Sequence, residues 1–324
     1  MKNSENDLIK GVNSGSRVCL SKLISLVESD KSAIFRIIDS LNKRKNNSYV
    51  IGITGPPGAG KSTLTNRLIQ NYRKKNLSVA VLAVDPSSPF TGGAVLGDRI
   101  RMQEHALDDG VFIRSIGSRG DLGGLSSATS AIIKLFDSFG MDIVLIETVG
   151  VGQTELDIIK ISDCVLVTLV PEAGDGVQAM KAGLMEIGDI FIVNKADRGG
   201  AEKLAREIDY MISLKHKNTN WNTKVILAEA ENDVGTKNIV DEIDSFKEYE
   251  IQSNELNKKR TLRKVSEIET LLFQRMKYEL ESLKQDKDVK NIMSKVSKSD
   301  LEPEEAVNLI FKLFKKNFWF WEKY

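Results

Sequence analysis

The sequence predicts an α/β fold with a mostly parallel sheet and helices on both faces. Apolar, β-branched segments alternate with helical segments from Tyr49 to about Phe246, which is typical of successive βαβ units. The first strand, Tyr49 to Ile53, leads into a glycine-rich segment and then a helix, which is the context of a phosphate-binding loop. Together these observations predict a P-loop NTPase fold.

Helical segments are predicted on both sides of this core. Apolar residues recur at helical spacing between Val18 and Leu41, and again at Val265, Ile268 and Leu272. We therefore predict an N-terminal helical segment at 1–47, a P-loop core at 48–250 and a C-terminal helical extension at 251–324. The extension ends in an aromatic cluster at 318–321, which either packs on its own domain or contacts a partner.

The glycine-rich segment fits G-x-x-x-x-G-K-[ST] at every fixed position. Its backbone N–H groups would form an anion nest at the start of a helix. Lys61 would reach the β- and γ-phosphates of a nucleotide, and the Ser62 hydroxyl would bind Mg²⁺. The predicted phosphate-binding residues are Gly55, Pro56, Pro57, Gly58, Ala59, Gly60, Lys61, Ser62 and Thr63.

The tetrapeptide N-K-x-D at 194–197 predicts a guanine pocket, because it follows a second apolar strand downstream of the phosphate loop. The Asp197 carboxylate can accept hydrogen bonds from N1–H and the 2-amino group of guanine. Adenine has no such donor pair, so its binding would leave a buried carboxylate unpaired. Asn194 would brace the pocket, and the Lys195 stem would cover one face of the base.

A third contact to the base is expected from a loop at the end of a later strand. Glu229 and Ala230 occupy this place, shortly before a helix that begins near Gly235. The sequence therefore predicts a site for guanine nucleotides.

Carboxylates at strand ends predict a magnesium site, since Mg²⁺ prefers oxygen ligands and ligands bind at the carboxyl ends of parallel strands. Asp85 ends one apolar strand and Glu147 ends another. Asp98 follows a loop rich in proline and glycine, although it could be an ordinary carboxylate at a helix terminus. Ser62, Asp85, Asp98 and Glu147 are the candidate magnesium ligands, directly or through water.

Two further segments have the composition of switches. After Glu147, the Gly150 N–H could sense the γ-phosphate and Gln153 could orient the attacking water. Gln153 could equally be an ordinary surface residue. The segment 171–183 is rich in glycine and acidic residues, which indicates a mobile loop that opens a helix.

Composition restricts the class of protein. The 324 residues include 46 basic and 45 acidic ones, so net charge indicates no nucleic-acid binding. Cys19 and Cys164 form neither a disulfide framework nor a zinc motif. The N-terminus lacks the apolar core of a signal peptide, and no apolar run is long enough to cross a membrane. We expect a cytoplasmic protein.

These motifs resemble those of the MeaB/ArgK family of P-loop GTPases, the methylmalonyl-CoA mutase-associated GTPases. Glu147 opens the most specific segment, since most related GTPases have an aspartate in its place. The resemblance covers roughly residues 15–280 and rests on segments at 52–64, 84–102, 114–125, 147–155 and 189–197.

The resemblance implies a GTPase that acts as a chaperone of an adenosylcobalamin-dependent acyl-CoA mutase, gating cofactor loading and protecting the mutase. It implies that Asp85, Asp98 and Glu147 surround Mg²⁺, and that Lys181 belongs to an additional switch that responds to the mutase. It also implies a homodimer, formed here through the C-terminal helices. The chain departs from the family at Asp121, where a histidine is expected, and at Glu229, where a serine is usual.

Three other functions remain open at this stage. A metal-insertion GTPase shares the fold class, but two cysteines and two histidines argue against a metal-carrying cluster. An ArgK-like transport-associated nucleotidase or kinase would use ATP, whereas Asp197 predicts guanine. The third alternative is a scaffold that binds GTP without hydrolysing it, and any Mg²⁺-dependent release of phosphate would exclude it.

Overall fold

The computed structural model describes residues 2–30, 33–41, 48–85, 103–105, 107–117, 127–148, 154–171, 183–214 and 221–318. Within these ranges, seven parallel strands form one sheet in the order β3-β2-β4-β1-β5-β6-β7. The strands are β1 (Tyr49–Thr54), β2 (Val79–Asp85), β3 (Val111–Gly117), β4 (Ile143–Glu147), β5 (Cys164–Leu169), β6 (Ile190–Asn194) and β7 (Val225–Ala228). The predicted α/β fold with a mostly parallel sheet is confirmed.

The first three helices precede the sheet, and the others connect or follow its strands. Those up to β7 are α1 (Lys2–Asn13), α2 (Arg17–Ser29), α3 (Ala33–Ser40), α4 (Lys61–Lys74), α5 (Ser127–Phe139), α6 (Thr154–Asp157), α7 (Leu184–Ile187) and α8 (Ala201–Leu214). Those after β7 are α9 (Thr236–Gln252), α10 (Glu255–Leu283), α11 (Lys287–Ser297) and α12 (Pro303–Phe318). None of these described helices combines the length and the apolar character needed to cross a bilayer.

Strand β1 lies at the centre of the sheet and is buried along its whole length. It pairs with β4 through Tyr49 and Ile143, and with β5 through Ile51 and Cys164. Its side chains alternate between the two faces, since Val50 belongs to the core under α5 and Ile51 to the core under α4. Burial on both faces explains why this strand reads as a continuous apolar run.

The N-terminal helices complete one of these cores. Leu20, Leu23 and Ile24 of α2 are fully buried and pack in the same cluster as Phe136 of α5. The Ser16 hydroxyl accepts a hydrogen bond from the Cys19 N–H and caps α2. The periodic segment between Val18 and Leu41 thus forms two helices, because α2 ends at Ser29.

By its contacts the chain divides into two compact units, 1–263 and 264–324. In the second unit, α11 begins after Asp286, whose carboxylate accepts the Asp288 N–H. Helix α11 packs against α12, and Val289 of α11 and Ala306 of α12 are buried. The domain boundaries at 47/48 and 250/251 stay predictions.

Candidate nucleotide-binding site

The phosphate loop, residues 55–62, connects the central strand β1 to α4. Gly55, Gly58 and Gly60 all have positive φ, at 138°, 77° and 84°. A Cβ at Gly55 would lie 2.0 Å from Thr168 O, and one at Gly60 would lie 2.3 Å from Asn194 Nδ2. Gly55 and Gly60 are therefore needed both for their backbone conformation and for close approach to neighbouring strands.

Lys61 is the first residue of α4 and is only 6% exposed. Its Nζ donates hydrogen bonds to the carbonyl oxygens of Gly55, at 2.7 Å, and Pro56, at 2.9 Å. The ammonium group is thus held across the curl of the loop. This places a positive charge at the N-terminus of a helix, where backbone N–H groups also favour an anion.

Glu147 joins this loop from the neighbouring strand. It ends β4 beside Ile53 of β1 and is 5% exposed. Its carboxylate accepts a hydrogen bond from Ser62 Oγ at 2.5 Å and lies 3.0 Å from Thr65 Oγ1. A buried hydroxyl and carboxylate in contact are oxygen donors of the kind Mg²⁺ prefers, so this pair fits the predicted ion.

Glu155, on α6, is a further buried acid in this region. It is 7% exposed, and its Oε1 has no hydrogen-bond partner among the described residues. Burial raises the pKa of this carboxyl, while the nearby charge of Lys61 acts in the opposite direction.

Asn194 connects the phosphate loop to the predicted base pocket. It ends β6 and is 2% exposed. Its Nδ2 donates to Ala59 O at 2.9 Å, and its Oδ1 accepts the Ala230 N–H at 3.0 Å. One amide therefore joins three segments that are far apart in the sequence.

The rest of the N-K-x-D segment forms a turn at the carboxyl end of β6. Lys195 is half-buried and has a φ of 57°, in the left-handed region. The Ala196 N–H donates to Ala228 O at 3.0 Å, which ties the turn to β7. Asp197 is exposed. The turn thus leaves Asp197 at the surface of the protein.

The loop after β7 closes the other side of this region. Glu229 and Val234 exchange backbone hydrogen bonds of 3.0 and 3.2 Å, so residues 229–234 form a compact turn. Arg67, from α4, donates Nε to Ala230 O at 2.9 Å and Nη2 to Glu231 O at 2.6 Å. The helix that begins at the phosphate loop therefore also supports the predicted base loop.

The structure brings together the phosphate loop, Glu147, Asn194 and the 229–234 turn at the carboxyl edge of the sheet. Asp85 ends β2 at the same edge, but its side chain is outside the described part. Four other predicted site residues lie outside the described residues altogether, and their roles stay predictions: Asp98, Gly150, Gln153 and Lys181.

Sequence reasoning missed Thr65 and Arg67. Thr65 follows Lys61 by four residues, so the helix places both on one side, and this spacing could have indicated it. Arg67 carries no such local signal, because its partners are 163 and 164 residues away.

Residues 20–285 match the family described as methylmalonyl Co-A mutase-associated GTPase MeaB. A provisionally named GTPase of Pyrococcus abyssi is 44% identical over 310 residues, which are 95% of this chain and 96% of that protein. The GTPase ArgK of Escherichia coli is 35% identical over 81% of this chain and 84% of its own length.

Two more distant similarities agree with this pattern. The mouse protein named methylmalonic aciduria type A homolog, mitochondrial, is 33% identical over 95% of this chain and 79% of its own length. The crystal structure of an LAO/AO transport system kinase is 24% identical and covers 97% of this chain and 99% of that chain, with a TM-score of 0.70. At this identity, the latter match supports the fold alone.

Proposed function

The chain belongs to the MeaB family of P-loop GTPases and hydrolyses GTP, and we propose that it serves as the G-protein chaperone of an adenosylcobalamin-dependent acyl-CoA mutase. The observation that carries the partner assignment is the match of residues 20–285 to a mutase-associated GTPase family. Methylmalonyl-CoA mutase is the first candidate partner, and other acyl-CoA mutases are the alternatives. In this role the GTPase gates cofactor loading and protects the mutase.

The phosphates of GTP bind at the loop 55–62. Backbone N–H groups at the start of α4 surround the phosphate oxygens, and Lys61 exchanges its carbonyl partners for the β- and γ-phosphates. These cationic and dipolar groups stabilise the negative charge that develops on the transferring phosphoryl group. Thr63 lies in the first turn of the same helix, beside the phosphate loop.

Ser62 and Glu147 are the described residues that would hold Mg²⁺, together with Asp85 and Asp98. When bound, Mg²⁺ supplies a positive charge that neutralises the phosphates. Glu147 belongs to β4 and Ser62 to α4, so the ion would be held by residues of two different elements. The carboxylate of Glu147 would hold the ion through one of its water molecules.

Guanine is recognised at the other end of the site. Asp197 accepts hydrogen bonds from N1–H and the 2-amino group, Asn194 braces the pocket, and the stem of Lys195 covers one face of the base. The loop that follows β7, which contains Glu229 and Ala230, supplies a backbone N–H contact to the base. The bond from Ala230 N–H to Asn194 supports this arrangement, because it places the loop next to the N-K-x-D segment.

Catalysis depends on segments that respond to the partner. Gly150 senses the γ-phosphate, Gln153 orients the attacking water, and Lys181 belongs to the switch that responds to the mutase. The chain offers no obvious strong general base, so we expect slow intrinsic hydrolysis that the mutase accelerates by ordering these segments. With Cys19 and Cys164 both free, a cytoplasmic location is consistent with this role.

The test is a GTPase assay of the purified protein with Mg²⁺ and a panel of adenosylcobalamin-dependent mutases, with ATP as the control nucleotide. One mutase should raise GTP turnover at least several-fold, while ATP should be ignored. Lys61→Ala should abolish turnover with and without that mutase, which excludes a contaminating activity. GTP hydrolysis that no mutase changes would contradict the chaperone proposal and favour a metal-insertion GTPase instead.

A further inference from the structure

Arg67 supports the 229–234 turn through its backbone. The guanidinium donates Nε to Ala230 O at 2.9 Å and Nη2 to Glu231 O at 2.6 Å. Two bonds from one rigid, planar group fix both the position and the orientation of consecutive peptide units. Because α4 begins at Lys61, the same helix positions the phosphate loop and this turn.

The two hydrogen bonds from Arg67 also affect the direction in which N–H groups of the turn point. In a trans peptide, the carbonyl and the following N–H point in opposite directions. With Ala230 O held by Arg67, the Glu231 N–H is directed away from that guanidinium. Ala230 O also accepts the Asp233 N–H, but at 3.5 Å, so the 2.9 Å bond from Arg67 is the tighter constraint on the direction of the Glu231 N–H.

The neighbouring backbone donors of the turn are already used within the protein. The Glu229 N–H donates to Val234 O, and the Asn232 N–H donates to Glu229 O. The Ala230 N–H donates to Asn194 Oδ1. Within the described ranges, the Glu231 N–H has no protein acceptor, and it directly follows the residue that contacts the base-pocket asparagine.

We propose that Arg67 is a positioning residue for base recognition, which aims the Glu231 N–H at the 6-oxo group of a purine nucleotide. This rests on the proposed guanine pocket and names one donor of its third contact. A 6-oxopurine would accept the hydrogen bond, whereas the 6-amino group of adenine would place two donors against each other. The turn would thus select guanine and hypoxanthine nucleotides at position 6, independently of Asp197.

The experiment measures displacement of a fluorescent GDP analogue by three competitors in the full-length protein. GDP carries the 6-oxo and 2-amino groups, IDP carries only the 6-oxo group, and the diphosphate of 2-aminopurine riboside carries only the 2-amino group. Arg67→Ala should lower the affinity for GDP and for IDP about tenfold, because one hydrogen bond to the base is lost. It should change the affinity for the 2-aminopurine nucleotide less than twofold.

Two controls accompany this variant. Arg73→Ala removes an arginine of the same helix that pairs with Asp108, at 2.9 Å, and it should leave all three affinities unchanged. Arg67→Lys retains a donor for one carbonyl and should recover part of the preference for 6-oxopurines. Thermal unfolding would show that each variant is folded.

If Arg67 had a purely structural role, Arg67→Ala would lower the affinity for all three nucleotides equally, or for none of them. Either result would overturn the proposal. Asp197→Ala in the same assay reports separately on the proposed pocket. If Asp197→Ala leaves GDP binding unchanged, the pocket assignment itself fails, whatever Arg67→Ala does.

Discussion

Glu147 and Asn194 each connect separate segments of the nucleotide site through one side chain. Glu147 contacts hydroxyls of α4, and Asn194 joins the phosphate loop to the 229–234 turn. Both side chains are almost completely buried, so each bond excludes water and its loss leaves polar groups unpaired. Single substitutions here should therefore have measurable and distinguishable effects.

Gly60 and Gly58 provide a matched pair of substitutions. Both have positive φ, so alanine at either position costs about 1–2 kcal/mol of backbone strain. Only at Gly60 would the new Cβ displace the Asn194 amide, since nothing lies within 4 Å at Gly58. Gly60→Ala should lower the free energy of unfolding by about 1–3 kcal/mol more than Gly58→Ala. Urea denaturation without nucleotide measures both, and equal losses would contradict this reading.

Thr65 should position the Glu147 carboxylate for hydrolysis. Its hydroxyl lies 3.0 Å from Glu147 Oε2 and 2.9 Å from Lys61 O, and the charged acceptor makes the stronger bond. Thr65→Val should lower the single-turnover GTPase rate about tenfold or more and raise the Mg²⁺ concentration needed for half-maximal rate. Thr65→Ser retains the hydroxyl and should stay close to wild type. Loss of activity in both variants would point to packing rather than to the hydrogen bond.

At the scale of elements, the first turns of α10 are attached to the sheet by a buried ion-pair cluster. Asp163 precedes β5, is 1% exposed, and pairs with Arg260, at 2.6 Å, and with Arg263. It also accepts the Val50 N–H at 3.0 Å. Burial alone would raise the pKa of Asp163, but the two guanidinium groups outweigh it and lower this pKa.

Removing Asp163 should destabilise the fold in a pH-dependent way. Asp163→Ala leaves two arginines without their carboxylate and should cost about 3–5 kcal/mol at neutral pH. Because the folded-state pKa is lowered, this stabilisation is present above the ordinary value of 3.8 and is lost as pH falls through the folded pKa. Denaturation at several pH values should therefore show wild type and variant converging in acid.

The control for this prediction lies on the same helix. Lys258 pairs with Glu255 at 2.8 Å, with 59% of its side chain exposed. Lys258→Ala should change stability by less than about 1 kcal/mol. A large loss in this control, or a constant gap between wild type and Asp163→Ala at every pH, would argue against the ion-pair explanation.

At the scale of the whole molecule, the homodimer is the prediction that the C-terminal helices support. Val265, Ile268 and Leu272 lie along one side of α10 and are 59%, 56% and 57% exposed. Apolar residues repeated at this spacing form a stripe, which is typical of a helix that packs against another surface. A second copy of the chain is the proposed partner of this stripe.

If the proposed dimer forms through this stripe, Ile268→Glu combined with Leu272→Glu should leave only monomer, because burying two carboxylates in an apolar interface is unfavourable. Sedimentation equilibrium measures the change. Thr270→Glu is the control, since position 270 is exposed and faces away from the stripe. If the double variant sediments like the wild type, the dimer forms elsewhere or not at all.

The sequence by itself determined the glycine-rich turn that precedes α4, the strand that leads into the N-K-x-D segment and the approximate order of strands and helices. These are local properties, since a glycine conformation, a strand or an amphipathic helix depends on residues close in the chain. The helix predicted from Ser62 to Arg73 is observed at Lys61–Lys74, and the strand predicted from Ile190 to Val193 at Ile190–Asn194. The similarity to MeaB-family GTPases followed from the same motifs and is confirmed.

Only the tertiary structure decided which of these segments meet. The strand order places β1 between β4 and β5, and so brings Glu147 to Ser62, 85 residues away. The hydrogen bonds from Arg67 to the 229–234 turn and the ion pair between Asp163 and Arg260, in the first turns of α10, likewise join distant segments. Such contacts form only when distant segments pack around a shared core, so the local periodicity of the sequence does not predict them.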